Sequence, residues 1–340
     1  MLNKSQLYNK YYKFLLIIPI ILFIFSFVYL FNFYNQNGDF IKKDVSLTGG
    51  TSITVTPESP IDLTEFQNAL SEKIEDFSVR EISDFNSGVQ AGIIVESPAD
   101  SSELQSAIES VLGYKLVSGE NASIEFSGSS LSEGFYQQLL YAIILSFSFM
   151  AIVVFFIFGG SLKIKLFTIF LTLIPVILFF SSIVSVTLAM ILSLLVLIFN
   201  CAIYLKYNPP SMTVIISAFA DILMTLVVVN LLGMKVSTAG IISFLMLIGY
   251  SVDTDIMLTT RLLKSKDKEL NQEIFGAFKT GITMTLTSIV AVLAALILTA
   301  SFSEVLKQIF AVLLIGLIFD IINTWVTNAS ILKWYLEAKK

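Results

Sequence analysis

The 340-residue sequence has no histidine and a single cysteine, Cys201. Without imidazole the chain lacks the commonest general base near neutral pH and the commonest metal ligand, and it can form no Ser-His or Cys-His nucleophile pair. One cysteine inside an apolar run allows no intrachain disulfide and no paired-thiol redox chemistry. No G-x-x-x-x-G-K-[ST] loop occurs, which removes nucleotide hydrolysis as an energy source within the chain. No two aspartates stand in motifs that read as an intramembrane protease. These absences point away from an enzyme and imply neither a cofactor nor a metal. Charge is scarce as well, since Asp, Glu, Lys and Arg make up only 14% of residues.

What fills the sequence instead is apolar: 55% of residues are hydrophobic and the mean hydropathy is +0.82, more than a soluble fold of this length could hide. A helix needs roughly 20 mainly apolar residues to cross the hydrocarbon core. Eight windows meet this, at about 14–34, 136–158, 166–185, 186–205, 211–231, 238–258, 275–300 and 309–332. Orientation follows from the excess of Lys and Arg in cytoplasmic loops. Lys4, Lys10 and Lys13 precede the first span, Lys163 and Lys165 follow the second, and Lys206 follows the fourth. Arg261, Lys264, Lys266 and Lys268 follow the sixth, and Lys333, Lys339 and Lys340 close the chain. The alternation predicts both termini in the cytoplasm and residues 35–135 outside, with Lys235 and Lys307 as exceptions on outer loops. The first span is too long for a signal peptide and lacks a small-residue cleavage site, so it reads as an anchor.

Three parts follow: an anchor over 1–34, an extracytoplasmic domain over 35–135 and a membrane bundle over 136–340. The outer part holds 17 of the 26 acidic residues and 5 of the 21 basic ones, which argues against nucleic acid as a partner. Its short alternating segments predict strands over 45–56, 77–85, 89–96 and 122–126. The first carries a Gly49-Gly50 interruption that signals a bulge or a close backbone approach. Asn86-Ser87-Gly88 reads as the turn between the second and third. Leu63, Phe66, Leu70 and Ile74, then Leu104, Ile108 and Leu112, recur at helical spacing. The resulting β-α-β-β-α-β order is the split unit of a ferredoxin-like α+β domain, an architecture that specifies no chemistry. Asn121-Ala122-Ser123 is a glycosylation sequon in this part, and Asn328-Ala329-Ser330 repeats the pattern inside a span.

A carboxylate at the centre of a spanning helix costs roughly 2.5–3.5 kcal/mol on insertion scales, so each one needs a reason. Four occur: Asp221 in the fifth span, Asp253 and Asp255 in the sixth and Asp320 in the eighth. Each has polar neighbours at helical spacing. Ser217, Asp221 and Thr225 form one stripe, and Asp320, Asn323, Thr324, Thr327 and Asn328 another. Thr280, Thr283, Thr287 and Ser288 form a third on the seventh span. Such stripes either glue helices together or line an ion pathway, and the aspartates favour the pathway. The stripes must converge or be covered by a second subunit. Arg261 and Lys279 read as snorkelling anchors with an aspartate as an alternative partner.

The run Gly249-Tyr250-Ser251-Val252-Asp253-Thr254-Asp255-Ile256-Met257-Leu258-Thr259-Thr260-Arg261 resembles the signature of the archaeal SecF family of protein-export membrane proteins. Ser217-Ala218-Phe219-Ala220-Asp221, Ala277-Phe278-Lys279-Thr280-Gly281, Met284-Thr285-Leu286-Thr287-Ser288 and Phe319-Asp320-Ile321-Ile322-Asn323-Thr324-Trp325 carry the same resemblance, and Gly49-Gly50-Thr51 matches the start of the family's outer domain. The resemblance implies a partner, SecD, and a paired bundle like that of resistance-nodulation-division transporters. It implies work beside the Sec translocon channel on translocating polypeptide, within the lipid of the plasma membrane. In bacterial members, proton flow through membrane carboxylates and an arginine drives that work. The bacterial Asn-Asp-Thr is replaced here by Asp253-Thr254-Asp255, and the bacterial arginine aligns with Thr283, close to Lys279. Residues 161–207 match nothing in the six-span family plan and read as an inserted two-span hairpin.

The resemblance thus implies an accessory Sec subunit that uses a proton gradient to promote late translocation and release. A small-molecule or lipid exporter also uses intramembrane carboxylates, but about a hundred outer residues are few for its porter region. A passive assembly factor, whose aspartates only lock SecD in place, is the third reading.

Overall fold

The computed structural model describes residues 11–57, 59–83, 87, 89–264, 270–300 and 303–339. Lys4, Lys10, Asn86, Gly88, Lys266, Lys268 and Lys340 lie outside the described residues, as does the end of the strand expected over 77–85. In chain order the elements are α1 (Ile17–Asn37), β1 (Lys42–Lys43), α2 (Val45–Thr48), β2 (Gly50–Val55), α3 (Leu63–Ser71), β3 (Ser78–Ser83), β4 (Gln90–Ser97), α4 (Ser101–Leu112) and β5 (Ala122–Ser127). Then come α5 (Ser129–Phe158), α6 (Leu162–Phe180), α7 (Val186–Tyr207), α8 (Pro209–Leu231), β6 (Lys235–Val236), α9 (Thr238–Lys264), α10 (Leu270–Thr299), α11 (Glu304–Ile322), a π-helical turn (Asn323–Asn328) and α12 (Ala329–Ala338). Among the described residues eight helices are long and apolar enough to cross a membrane, as the hydropathy windows predict.

The sheet domain follows from strict alternation. Ile53 and Val55 on β2 and Ile93 and Val95 on β4 are fully buried on one face, where Phe66, Leu70, Leu104 and Ile108 of α3 and α4 cover them. Burying each such side chain contributes about 1.5–3 kcal/mol. The antiparallel order β3-β4-β2-β5 is that of two interleaved β-α-β units, the ferredoxin-like arrangement. Asp62 starts α3 by accepting the Thr64 and Glu65 N–H groups at 2.8 and 3.2 Å.

One strand is shorter than its sequence pattern predicts. Residues 45–48 form a helical turn, because the Asp44 carboxylate caps the Val45 N–H at 2.9 Å and Gly49 closes the turn at φ +83°. A Cβ on Gly49 would lie 2.5 Å from Ser129 Cα, and one on Gly50 2.3 Å from the Ser97 carbonyl, so the glycine pair marks a close backbone approach.

The chain ends of the bundle lie opposite the sheet. Tyr12 donates its hydroxyl to Glu337 at 2.6 Å, joining the start of the first span to the end of the last. At the sheet end β1 and β6 pair in parallel, and Asn230 donates to the Phe40 carbonyl at 2.7 Å. The α6–α7 hairpin flanks α5 and α8. Asn200 donates to Thr172 at 2.9 Å within it, Tyr204 stacks on Phe155 at 4.3 Å, and Asn208 donates to the Phe158 carbonyl at its base. Asn208 also caps α8, whose first residues, Pro209 and Pro210, need no N–H partner.

Candidate functional site

The most enclosed span, α8, brings Asp221 to the middle of the bundle, where α9, α11 and the π-helical turn pack against α8. Its two carboxylate oxygens accept from Ser251 of α9 and from Asn323 Nδ2 at 2.7 Å. Thr327 in turn donates to the Asn323 side-chain oxygen, Oδ1, at 3.1 Å. Asp320 accepts from Thr324 at 3.0 Å and lies 3.4 Å from Thr285 Oγ1 of α10. Asp255 accepts from Asn328 Nδ2 at 2.7 Å, and that nitrogen also lies 3.5 Å from Thr259. Asp221 and Asp255 are wholly shielded and Asp320 is 1% exposed.

Two of the three polar stripes therefore converge. The Asp320 to Asn328 stripe serves three neighbours at once, α8 through Asn323, α10 through Asp320 and α9 through Asn328. A local widening of the helix makes this possible: the Ala329 N–H reaches back five residues to the Thr324 carbonyl, a π turn of the kind found frequently at functional sites. The three carboxyl groups all belong to, or accept from, the Asp320–Asn328 stripe, so charging more than one of them sets like charges against each other in a buried region. Burying several such charges without a cation is costly, whereas a proton or a small cation shared among them relieves both burial and repulsion.

The remaining sequence candidates lie elsewhere. Asp253, two residues from Asp255, falls on the exposed face of α9. Arg261 and Lys279 are exposed too, outside the network. Of the α10 stripe, Thr280, Thr283 and Thr287 are exposed, and Thr285, not singled out by the spacing, is the member that turns inward. Ser251 and Thr259 were missed as well, although both stand in the 249–261 run, at four-residue spacing from Asp255 that a helical wheel would have caught. Lys333, expected in a cytoplasmic tail, is fully buried at the terminal end. It donates to Asn271 at 2.5 Å, lies 3.7 Å from Glu337 and sits 4.6 Å from the Tyr12 ring centroid. Asn121 of the sequon has both ends of its amide engaged, with the Lys115 carbonyl at 3.0 Å and the Val117 N–H at 2.7 Å.

With this geometry in hand, similarity to known proteins decides the family. Residues 180–338, which supply all three buried carboxylates, match the family described as Protein export membrane protein SecD/SecF, C-terminal. The Protein-export membrane protein SecF of Methanocaldococcus jannaschii is 32% identical over 338 residues, covering 97% of this chain and 99% of the relative. The chain belongs to the SecF family. The SecF of Methanothermobacter thermautotrophicus is 33% identical, covering 88% of this chain and 86% of that one. Among solved structures, the crystal structure of SecDF, a translocon-associated membrane protein from Thermus thermophilus, superposes with a TM-score of 0.62 at 15% identity over 97% of this chain. This chain spans 38% of that longer one, and the likeness is one of fold. Like its SecF relatives, the chain is a multi-pass membrane protein.

Proposed function

We propose that this SecF chain works with a SecD-type partner beside the Sec translocon channel. There it promotes late translocation and release of secreted polypeptides by passing protons through Asp221, Asp255 and Asp320. The observation that carries the reading is that three packed helices each contribute a buried carboxylate that belongs to, or accepts from, the Asp320–Asn328 stripe, and that among the described residues no lysine or arginine is bonded to any of the three. Packing alone would be served by Asn, Ser and Thr without the cost of charge. The termini face the cytoplasm in this reading and residues 35–135 the outside, following the basic loops. Residues 161–207 are an insertion, a view supported by the bond between Asn208 and the Phe158 carbonyl that closes the hairpin at its base.

The reading divides the four aspartates by role. Asp221, Asp255 and Asp320 serve ions, while exposed Asp253, with Thr280, Thr283 and Thr287, suits contact with the partner, because polar groups facing lipid call for cover. Carboxylates enclosed within one chain are poorly sited to lock two subunits together, which counts against the passive assembly reading. The test is secretion in cells carrying Asp320→Asn or Asp255→Asn. Export should fall while the variant still co-purifies with SecD. Normal export excludes the ion role, and loss of SecD returns the assembly reading to first place.

A further inference from the structure

Gln308 lies on α11, the helix that carries Asp320, about 18 Å from it at 1.5 Å per residue. It is buried, and its side-chain amide is used as a fork. The oxygen accepts from the Ser237 N–H at 3.1 Å and from the Ser237 hydroxyl, while the nitrogen donates to the Lys235 carbonyl. Lys235 and Val236 are β6, paired with Lys42 and Lys43 of β1. From there the Asp44 N–H donates to the Val236 carbonyl at 3.0 Å, and the Asp44 carboxylate holds Arg80 of β3 at 3.2 Å. The amide of one membrane helix is thus bonded into a continuous path to the sheet domain.

The same β6 leads directly into α9, the helix of Ser251 and Asp255. Helices α9 and α11 are therefore tied at both ends: Gln308 to Lys235 and Ser237 at the sheet end, and Asn328 of the continuing helix to Asp255 toward the other. Between the ties they pack backbone to side chain with no slack, since a Cβ on Gly240 would meet Gln308 Oε1 at 2.8 Å and one on Gly316 would meet Leu247 Cδ1 at 2.4 Å. Helices packed this closely respond as rigid units rather than by gradual deformation. A change of charge state at Asp320, Asp221 or Asp255 that shifts α11 against α9 must then either break the Gln308 fork or carry β6 with it.

We infer that Gln308 is the positioning residue that carries a rearrangement at the buried carboxylates out to the sheet domain, through β6, β1 and the Asp44–Arg80 pair. The inference rests on the ion-site reading and adds the route by which its effect leaves the membrane.

The test uses the full-length chain carrying Cys201→Ser in lipid nanodiscs, with spin labels at Asn68 on the sheet domain and at Leu231 on the bundle, both exposed positions. Asp320→Asn fixes an uncharged side chain at the site. It should shift the distance distribution between the labels, and in a Gln308→Met background, which keeps the volume but loses the fork, the same substitution should leave the distribution unmoved. Ser237→Ala, which removes one donor to the fork, should diminish the shift and decides the matter if Gln308→Met does not fold. An unchanged shift in both backgrounds, or no shift in the parent chain, overturns the inference. Normal secretion by Asp320→Asn alongside a Gln308-dependent shift refutes the ion reading and leaves the route standing.

Discussion

Asn328 donates its amide to Asp255 at 2.7 Å across 73 residues of sequence, and both side chains are fully buried. The bond depends on the π turn before Ala329, which gives the last span an extra residue in one turn and lets Asn328 face α9 while Asn323 faces α8. Two of the three polar stripes are thereby enclosed inside one chain, so the demand for a covering subunit falls on the third.

That selects the partner surface. A photo-crosslinker at Thr283 or Thr287 should capture SecD in membranes, and one at Phe170 of the hairpin should not, although all three positions are exposed. Crosslinkers at Thr225 and Asn323 should also fail, because both side chains are fully buried within this chain. Capture at Phe170 with silence at Thr283 and Thr287 would assign the interface to the opposite side of the bundle.

Gly49 is a stability prediction. Its φ of +83° with ψ of 164° is a conformation essentially reserved for glycine, and a Cβ there would also strike Ser129 Cα. Gly49→Ala should cost about 1–3 kcal/mol from the backbone alone, with the collision in addition. Hydrogen exchange should rise at the β1–β6 junction as well as in β2, since the displaced turn adjoins both. Exchange unchanged from the parent would mean that the close approach to Ser129 is not maintained in the membrane.

Glu96 gives the sheet domain a pH dependence. Burial raises its carboxyl above the ordinary range and the nearby Asp44 raises it further, while Arg80, 2.5 Å away, opposes both. A carboxyl raised in the folded state binds its proton more tightly there than in the unfolded chain. Its contribution to stability is therefore full below the unfolded value and is lost as pH rises through the folded one. The thermal midpoint of the sheet domain should fall over that interval, and Glu96→Gln should flatten the fall. An equal slope in parent and variant would show that another group sets it.

Much of this was legible in the sequence, and the remainder escaped for physical reasons. Hydropathy located all eight spans because their composition alone suffices, and alternation at Ile53, Val55, Ile93 and Val95 marked the sheet's core face. Val45–Thr48 departed from the strand expected there because a capping aspartate and a glycine at positive φ outweighed β-branched propensity. Within the membrane, residue spacing identified Asp221, Asp320 and their stripes. It could not say which face of α10 turned inward, because apolar residues surround that helix and give it no distinct side. The π turn left no mark in the spacing at all, yet it is what turns Asn328 toward Asp255.

The central claim is that Asp221, Asp255 and Asp320 carry protons, and the most direct measurement is proton flux. Proteoliposomes holding this chain with its SecD partner, loaded with a pH-sensitive dye and given an imposed proton gradient, should acidify internally with the parent chain. They should acidify at least tenfold more slowly with Asp320→Asn or Asp255→Asn. Equal rates for the parent, Asp320→Asn and Asp255→Asn, in complexes that still contain SecD, would contradict the account.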